Sequence, residues 1–375
     1  MKAYLLSCFA LFLLTSLGSF AAPLGLPKVP IPSDNPQSEA KIKLGDKLFH
    51  EKRFSSTGEV SCSNCHVKEK TFTDGLKVSE GIKKLRGTRN APTVVNAAYF
   101  TSLFWDGREP SLERQATQPF LNPVEMNLPN HDPILKIVRR DPEYAKAFKE
   151  VFGKVGEAIT INEVTQAIAA FERTLVSGES PFDRWYFGAE KSAISPEAKR
   201  GFEVFLTEGR CVSCHTVEQD HALFTDSKFH NIGVGFTKIA KDVDKMAVAY
   251  LQAAQKGESV DIKVLTNQNI SELGRFAVTR KVSDLGAFKT STLRNIIKTA
   301  PYMHDGSLET LEEVVDFYNN GGKVEEDDPE VPFLSGGIRN TAEGQDLAAD
   351  DPDMIALQAY IAYERRGVKF DPGKH

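Results

Sequence analysis

Two short runs stand out for their chemistry: Cys62-Ser63-Asn64-Cys65-His66 and Cys211-Val212-Ser213-Cys214-His215. Two thiols separated by two residues and followed at once by an imidazole form the attachment motif of a c-type haem. The thiols make thioethers to the vinyl groups along one porphyrin edge, and the adjacent histidine lies under the iron as its proximal ligand. A Cys/His zinc site or a redox dithiol uses the same residue types. However, the two copies use every cysteine except Cys8, which lies in an N-terminal apolar segment, and that favours two covalent haems. The other face of each iron then decides the function. A sixth protein ligand makes an electron carrier; an open face binds peroxide or oxygen.

The elements that must hold these motifs repeat. Gly45-Asp46-Lys47-Leu48-Phe49 precedes the first motif, and Gly201-Phe202-Glu203-Val204-Phe205 precedes the second. Ser195 as N-cap and Pro196 at the first helical position start the second of these helices. Downstream of the two motifs, residues 167–173 and 359–365 match each other and carry apolar residues at helical spacing. Helix, haem motif, long insertion and closing helix thus occur twice. The expected fold is mainly α, with two tandem cytochrome-c-like haem domains over residues 22–185 and 186–375, joined through the Gly-, Pro- and Ser-bearing stretch 178–193.

A chain of 375 residues is long enough for two such domains. Its net charge of -5 gives no basic face, which sets nucleic acid aside. Residues 1–21 read as a signal peptide: Lys2, an uncharged apolar stretch over 3–20, and Ser19-Phe20-Ala21 for cleavage after Ala21. A membrane anchor is the alternative. Leu5-Leu6-Ser7-Cys8 resembles a lipid box, but the apolar stretch follows the cysteine instead of preceding it. No other segment is apolar enough to span a bilayer, so an exported, periplasmic protein is expected.

Several longer runs resemble the bacterial di-haem cytochrome c peroxidases and their MauG relatives. They are CSNCH (62–66), RNAPTVVNAAYF (89–100), FWDGREPSLERQATQP (104–119), NPVEM (122–126), CVSCH (211–215), FHNIG (229–233) and STLRNIIKTAPYMHDG (291–306). The resemblance implies a peroxidatic haem on His66 and an electron-transfer haem on His215. It places Glu125 over the first iron as the general acid–base, with Gln115 and Pro119 lining the same pocket. It sets Trp105 between the haems. It also implies a calcium ion held by Asn90 and by backbone oxygens of Thr299 and Pro301, a donor set suited to a hard cation. From the residues alone, Glu125 reads as a surface acid, Trp105 as core and Asn90 as a turn residue.

Two positions depart from the peroxidase pattern. The switching distal histidine of many relatives aligns with Ile82, and residues 67–89 contain no histidine. The first iron is therefore expected to stay five-coordinate. The methionine ligand of the second haem aligns with Tyr318, in a helix begun by the capping box Thr310/Glu313. MauG has a tyrosine at this site. On spacing alone Tyr318 reads as a core tyrosine, and Met303 is the rival ligand. Met126, Met246 and Met354 read as packing residues, His50, His131 and His221 as surface or capping residues. His230 and His304 read as supports near the haems. The sequence after Asn340 is unfamiliar, with a helix expected over 345–366 and an acidic loop at 325–330.

Three functions follow as expectations. One is reduction of hydrogen peroxide with electrons from a small c-type cytochrome or a cupredoxin. Another is MauG-like, peroxide-driven oxidation of aromatic side chains of a partner protein. The third is a pure di-haem electron carrier. A homodimer is possible among such relatives, but no residue here specifies one.

Overall fold

The computed structural model describes residues 22–257 and 266–319, and these are mainly helical. The signal segment 1–21, the stretch 325–330, the closing run 359–365 with its helix, Met354 and the tail after Asn340 lie outside the described residues.

In the first half, α1 (Glu39–Phe49) starts where the Ser38 side chain accepts from the Lys41 N–H. It buries Leu44, Leu48 and Phe49. The motif helix α2 (Cys62–Cys65) follows. Two short turns, α3 (Leu112–Gln115) and α4 (Gln118–Leu121), precede the pair α5 (Asp132–Arg140) and α6 (Pro142–Phe152), which seal the core with Ile134, Val138, Tyr144 and Phe148. The closing helix α7 (Ile161–Glu172) begins in a Thr160/Glu163 capping box and is buried along most of its length. It crosses α1 so closely that a Cβ on Gly45 would sit 1.9 Å from the Ala167 carbonyl oxygen. Gly45 is thus a contact residue, required because the backbones touch.

The junction is more structured than its composition suggested. It contains α8 (Pro181–Tyr186), capped by Ser180 and Asp183, and the expected boundary at residue 185 falls inside this helix. Asp183 is fully buried because Arg294 meets its two oxygens at 2.8 and 2.9 Å. A paired carboxylate tolerates burial that a lone one would not. In the second half, α9 (Pro196–Leu206) packs Phe202 and Phe205 against Phe182 and Trp185. A separate core forms around Phe236, Tyr250, Leu273 and Phe276, beneath α10 (Val243–Gln255). Among the described residues the sheet is minimal: β1 (Phe229–His230) pairs antiparallel with β2 (Phe288–Lys289).

The halves repeat in backbone detail as well as in motif. One constant offset along the chain relates Asn96 to Asn295, Phe104 to Met303 and Gly107 to Gly306, all at positive φ. The bridge Leu103↔Glu109 has its counterpart in Tyr302↔Leu308. Ser111 caps the helix of Gln115 just as Thr310 caps the helix Leu311–Asn319. Arg275 ties the halves together by donating to the carbonyls of Asp106 and Gly107 at 2.8 and 2.7 Å.

Candidate haem sites

Each motif histidine is oriented by backbone carbonyls. His66 Nδ1 lies 3.1 Å from the Phe72 oxygen, and His215 Nδ1 lies 2.9 Å from the Phe224 oxygen. With the N–H on Nδ1, each Nε2 keeps its lone pair for a metal. Phe72 and Phe224 hold positive φ, which turns those carbonyls toward the rings. Burial pushes the Cys65 and Cys211 thiols up to about 12, and all four motif cysteines are free of disulfides. Such thiols are poor nucleophiles as they stand, which disfavours the redox-dithiol reading. Cys214, Asp226 and His230 do cluster. Yet His230 is already engaged by Asp226 at 2.8 Å, and Cys214 belongs to the haem motif.

At the first motif, the chain after α4 turns through Asn122 and brings Glu125 close to the cysteine pair. Glu125 charge is felt at both Cys62 and Cys65. Desolvation pushes its carboxyl above the ordinary range, while Arg108 and the Asn122 amide, which donates to Oε1, pull it back. Ile82 is 2% exposed in the core of the first half, and its N–H donates to the Glu125 carbonyl at 3.0 Å. Gly81 permits this approach: a Cβ there would meet the Val124 oxygen at 1.9 Å. Met126 is buried. Gln115 closes α3, and Pro119 lies in α4. The repeat makes Gln115 the counterpart of Val314 and Pro119 the counterpart of Tyr318.

At the second motif, His215, Tyr318, Met303, Trp105, Asn90 and Lys289 share the wall of one cavity with many apolar side chains. Tyr318 is half-buried, and its hydroxyl has no hydrogen-bond partner among the described residues. Burial holds that phenol above its usual range, so a nearby cation is what would ionise it. An apolar slot with an imidazole and an unpartnered phenol on its walls fits a haem. Met303 reaches the same cavity, packed with Tyr302, Val314 and Tyr318.

Between the motifs, the Trp105 indole N–H donates to the Asn90 carbonyl at 2.9 Å. Its ring meets His304 edge-on at 6.4 Å, and His304 stacks on Phe288 at 3.6 Å. His304 is further held by Glu272 at 2.8 Å. Asn90 is buried, and its amide N–H donates to the Leu76 carbonyl at 2.8 Å. That leaves Oδ1 for another partner, and Thr299 and Pro301 line the same cavity. An amide oxygen is a donor of the kind a hard cation takes.

Sequence reasoning missed Arg108, Asn122, Glu172 and Lys289. Glu172 is buried, pushed up to about 8 by desolvation, and felt at Cys62. Its place in the run 167–173 that matches 359–365 was the available signal. Arg108 shares the buried Asp106 with Arg89, at 3.0 and 2.7 Å. No spacing rule links either arginine to the site.

Residues 39–191 match the family described as di-haem cytochrome c peroxidase. A cytochrome-c peroxidase of Denitromonas iodatirespirans is 38% identical over 304 residues, 80% of this chain and 78% of the relative. The methylamine utilization protein MauG of Methylorubrum extorquens is 39% identical over 79% of this chain and 73% of its own length. The cytochrome c551 peroxidase of Nitrosomonas europaea is 35% identical over 80% of both. Among solved structures, a MauG-like protein associated with microbial copper homeostasis superposes with a TM-score of 0.68 at 31% identity, covering 91% of this chain and 94% of that one. With two haem motifs, two oriented histidines and these relatives, the chain belongs to the di-haem cytochrome c peroxidase and MauG family of peroxide-reducing oxidoreductases, which implies two haem c groups.

Proposed function

We propose that this is a periplasmic di-haem peroxidase that reduces hydrogen peroxide at an iron held by His66 and left open on the side of Glu125. The observation that carries this reading is the pairing of Ile82 with the Glu125 loop. The aligned switching position holds an apolar core side chain. The position equivalent to Tyr318 is Pro119. Neither side chain offers a ligand atom to the iron.

When bound, the haem held by His66 would supply the iron that meets peroxide, and the haem held by His215 would supply a relay for the two electrons that the reduction consumes. The side chains do the proton work. Glu125 would take the proton from one peroxide oxygen and return it to the other, which leaves as water; the oxygen left behind becomes a second water on taking two electrons from the donor and two protons from solvent. Burial raises its carboxyl, which eases the return of the proton. Asn122 fixes its orientation, and Gln115 and Pro119 shape the pocket. His215 and Tyr318 would hold the second haem, the donor would be a small c-type cytochrome or a cupredoxin, and Trp105 would lie on the route between the two haem sites. Calcium at Asn90, Thr299 and Pro301 ties the halves together. The domains are 22–185 and 186–375, the second beginning at Tyr186, the last residue of α8.

A second reading has specific support. The lost switching histidine and Tyr318 both fit MauG-like oxidation of aromatic side chains on a partner protein. One experiment separates the readings: add peroxide to the diferric protein, then offer a reduced small cytochrome. Fast multiple turnovers support the peroxidase. A long-lived oxidised state that ignores the cytochrome supports the MauG-like reading. A ferric spectrum without a high-spin component leaves only an electron carrier.

A further inference from the structure

The offset that pairs Trp105 with His304 also pairs Asn90 with Lys289, Phe100 with Thr299 and Ser102 with Pro301. The backbone honours this exchange. Asn90 N–H donates to the His304 carbonyl and Lys289 N–H donates to the Trp105 carbonyl, each at 2.8 Å. Asn90, Thr299 and Pro301 are the candidate calcium residues, so their counterparts Lys289, Phe100 and Ser102 outline the same place in the first half. That place is filled by a side chain. Lys289 Nζ donates to the Ser102 carbonyl at 2.7 Å and stands 4.4 Å from the centre of the Phe100 ring.

We propose that the Lys289 ammonium is a built-in cation at the counterpart of the calcium site, and that it positions Trp105 by bracing residues 100–105. A carbonyl oxygen and an aromatic face are neutral, electron-rich partners, suited to a single positive charge. A divalent ion needs several oxygens, and here Lys289 brings an ammonium where its counterpart Asn90 offers an amide oxygen. Buried Asp106 favours the charged amine, although desolvation lowers it to about 8. The calcium comparison rests on the function proposed above; the bracing by Lys289 does not.

Hydrogen-exchange mass spectrometry on the haem-loaded protein tests both parts. In Lys289→Met, exchange over 100–105 should rise about tenfold, the loss of one charge-assisted hydrogen bond, while α7 stays protected. Lys289→Arg should keep protection. Lys289→Asn should regain it in calcium chloride and carry one more calcium per chain than the parent by metal analysis. Unchanged exchange at 100–105 in Lys289→Met would overturn the bracing role. No added calcium and no regained protection in Lys289→Asn would overturn the equivalence. In the parent protein, a chelator should loosen 299–304 and spare 100–105. If it loosens neither, the calcium reading fails while the Lys289→Met result still stands on its own.

Discussion

The backbone N–H of Ile82 and the carbonyl of Glu125 meet at 3.0 Å, so an apolar side chain and an acid ride on two loops tied at one point. The tie holds the acid near the Cys62–Cys65 motif, and the position of a possible iron ligand is spent on the core.

Ile82→His should therefore close the first iron. The ferric spectrum is expected to shift from a mixed high-spin form to fully low-spin, with peroxide reactivity lost until the protein is reduced. Electron paramagnetic resonance before and after reduction reads this. An unchanged high-spin signal would mean that position 82 does not face the metal.

Glu125→Gln keeps a partner for the Asn122 amide but removes the proton acceptor. The peroxide step should slow by about 10²–10⁴-fold, the usual worth of general acid–base catalysis. In the parent protein the carboxylate form is the base, and burial raises its carboxyl. The rate should thus climb with pH through a value above 4.5, and Glu125→Gln should flatten that limb in stopped-flow traces.

Tyr318→Phe removes the phenol from the cavity that His215 lines. The ferric spectrum of the second haem and its reduction potential should both change, the potential rising as anionic oxygen ligation is lost. Met303→Leu should leave both unmoved. The opposite pattern would transfer the ligand role to Met303.

Glu172 gives a pH signature of stability. Its folded carboxyl titrates at about 8 against 4.5 for the ordinary group. Between those values the folded state holds a proton that the unfolded state has released, so stability falls as pH rises through that window. Glu172→Gln should remove this slope, gaining on the order of 2–4 kcal/mol over the parent at pH 9 and little at pH 5. Thermal melts across that range read the difference, and parallel curves for the two proteins would contradict it.

Gly45→Ala tests the α1–α7 contact. Its Cβ would fall 1.9 Å from the Ala167 oxygen. The helices must separate, at a cost of about 1–3 kcal/mol in denaturant melts.

The two CxxCH motifs were legible at once because covalent attachment demands fixed chemistry at fixed spacing, whatever the fold. Helix starts such as Thr310/Glu313 were legible for a similar reason: a cap is a contact between near neighbours. The junction was read less well. Its Gly, Pro and Ser residues suggested a linker, yet Asp183 closes a capping box and reaches Arg294, a partner far along the chain.

The sequence by itself determined what can be bonded to what: four thiols, two adjacent imidazoles, an isoleucine at position 82 with no ligand atom. Only the tertiary structure decided that Arg108 acts on Glu125, and that Lys289 meets Ser102. Arg108 meets Glu125 as the first half folds, and Lys289 meets Ser102 as the two halves close on each other. The local rules of spacing and propensity carry no information about residues that are distant along the chain and adjacent in space.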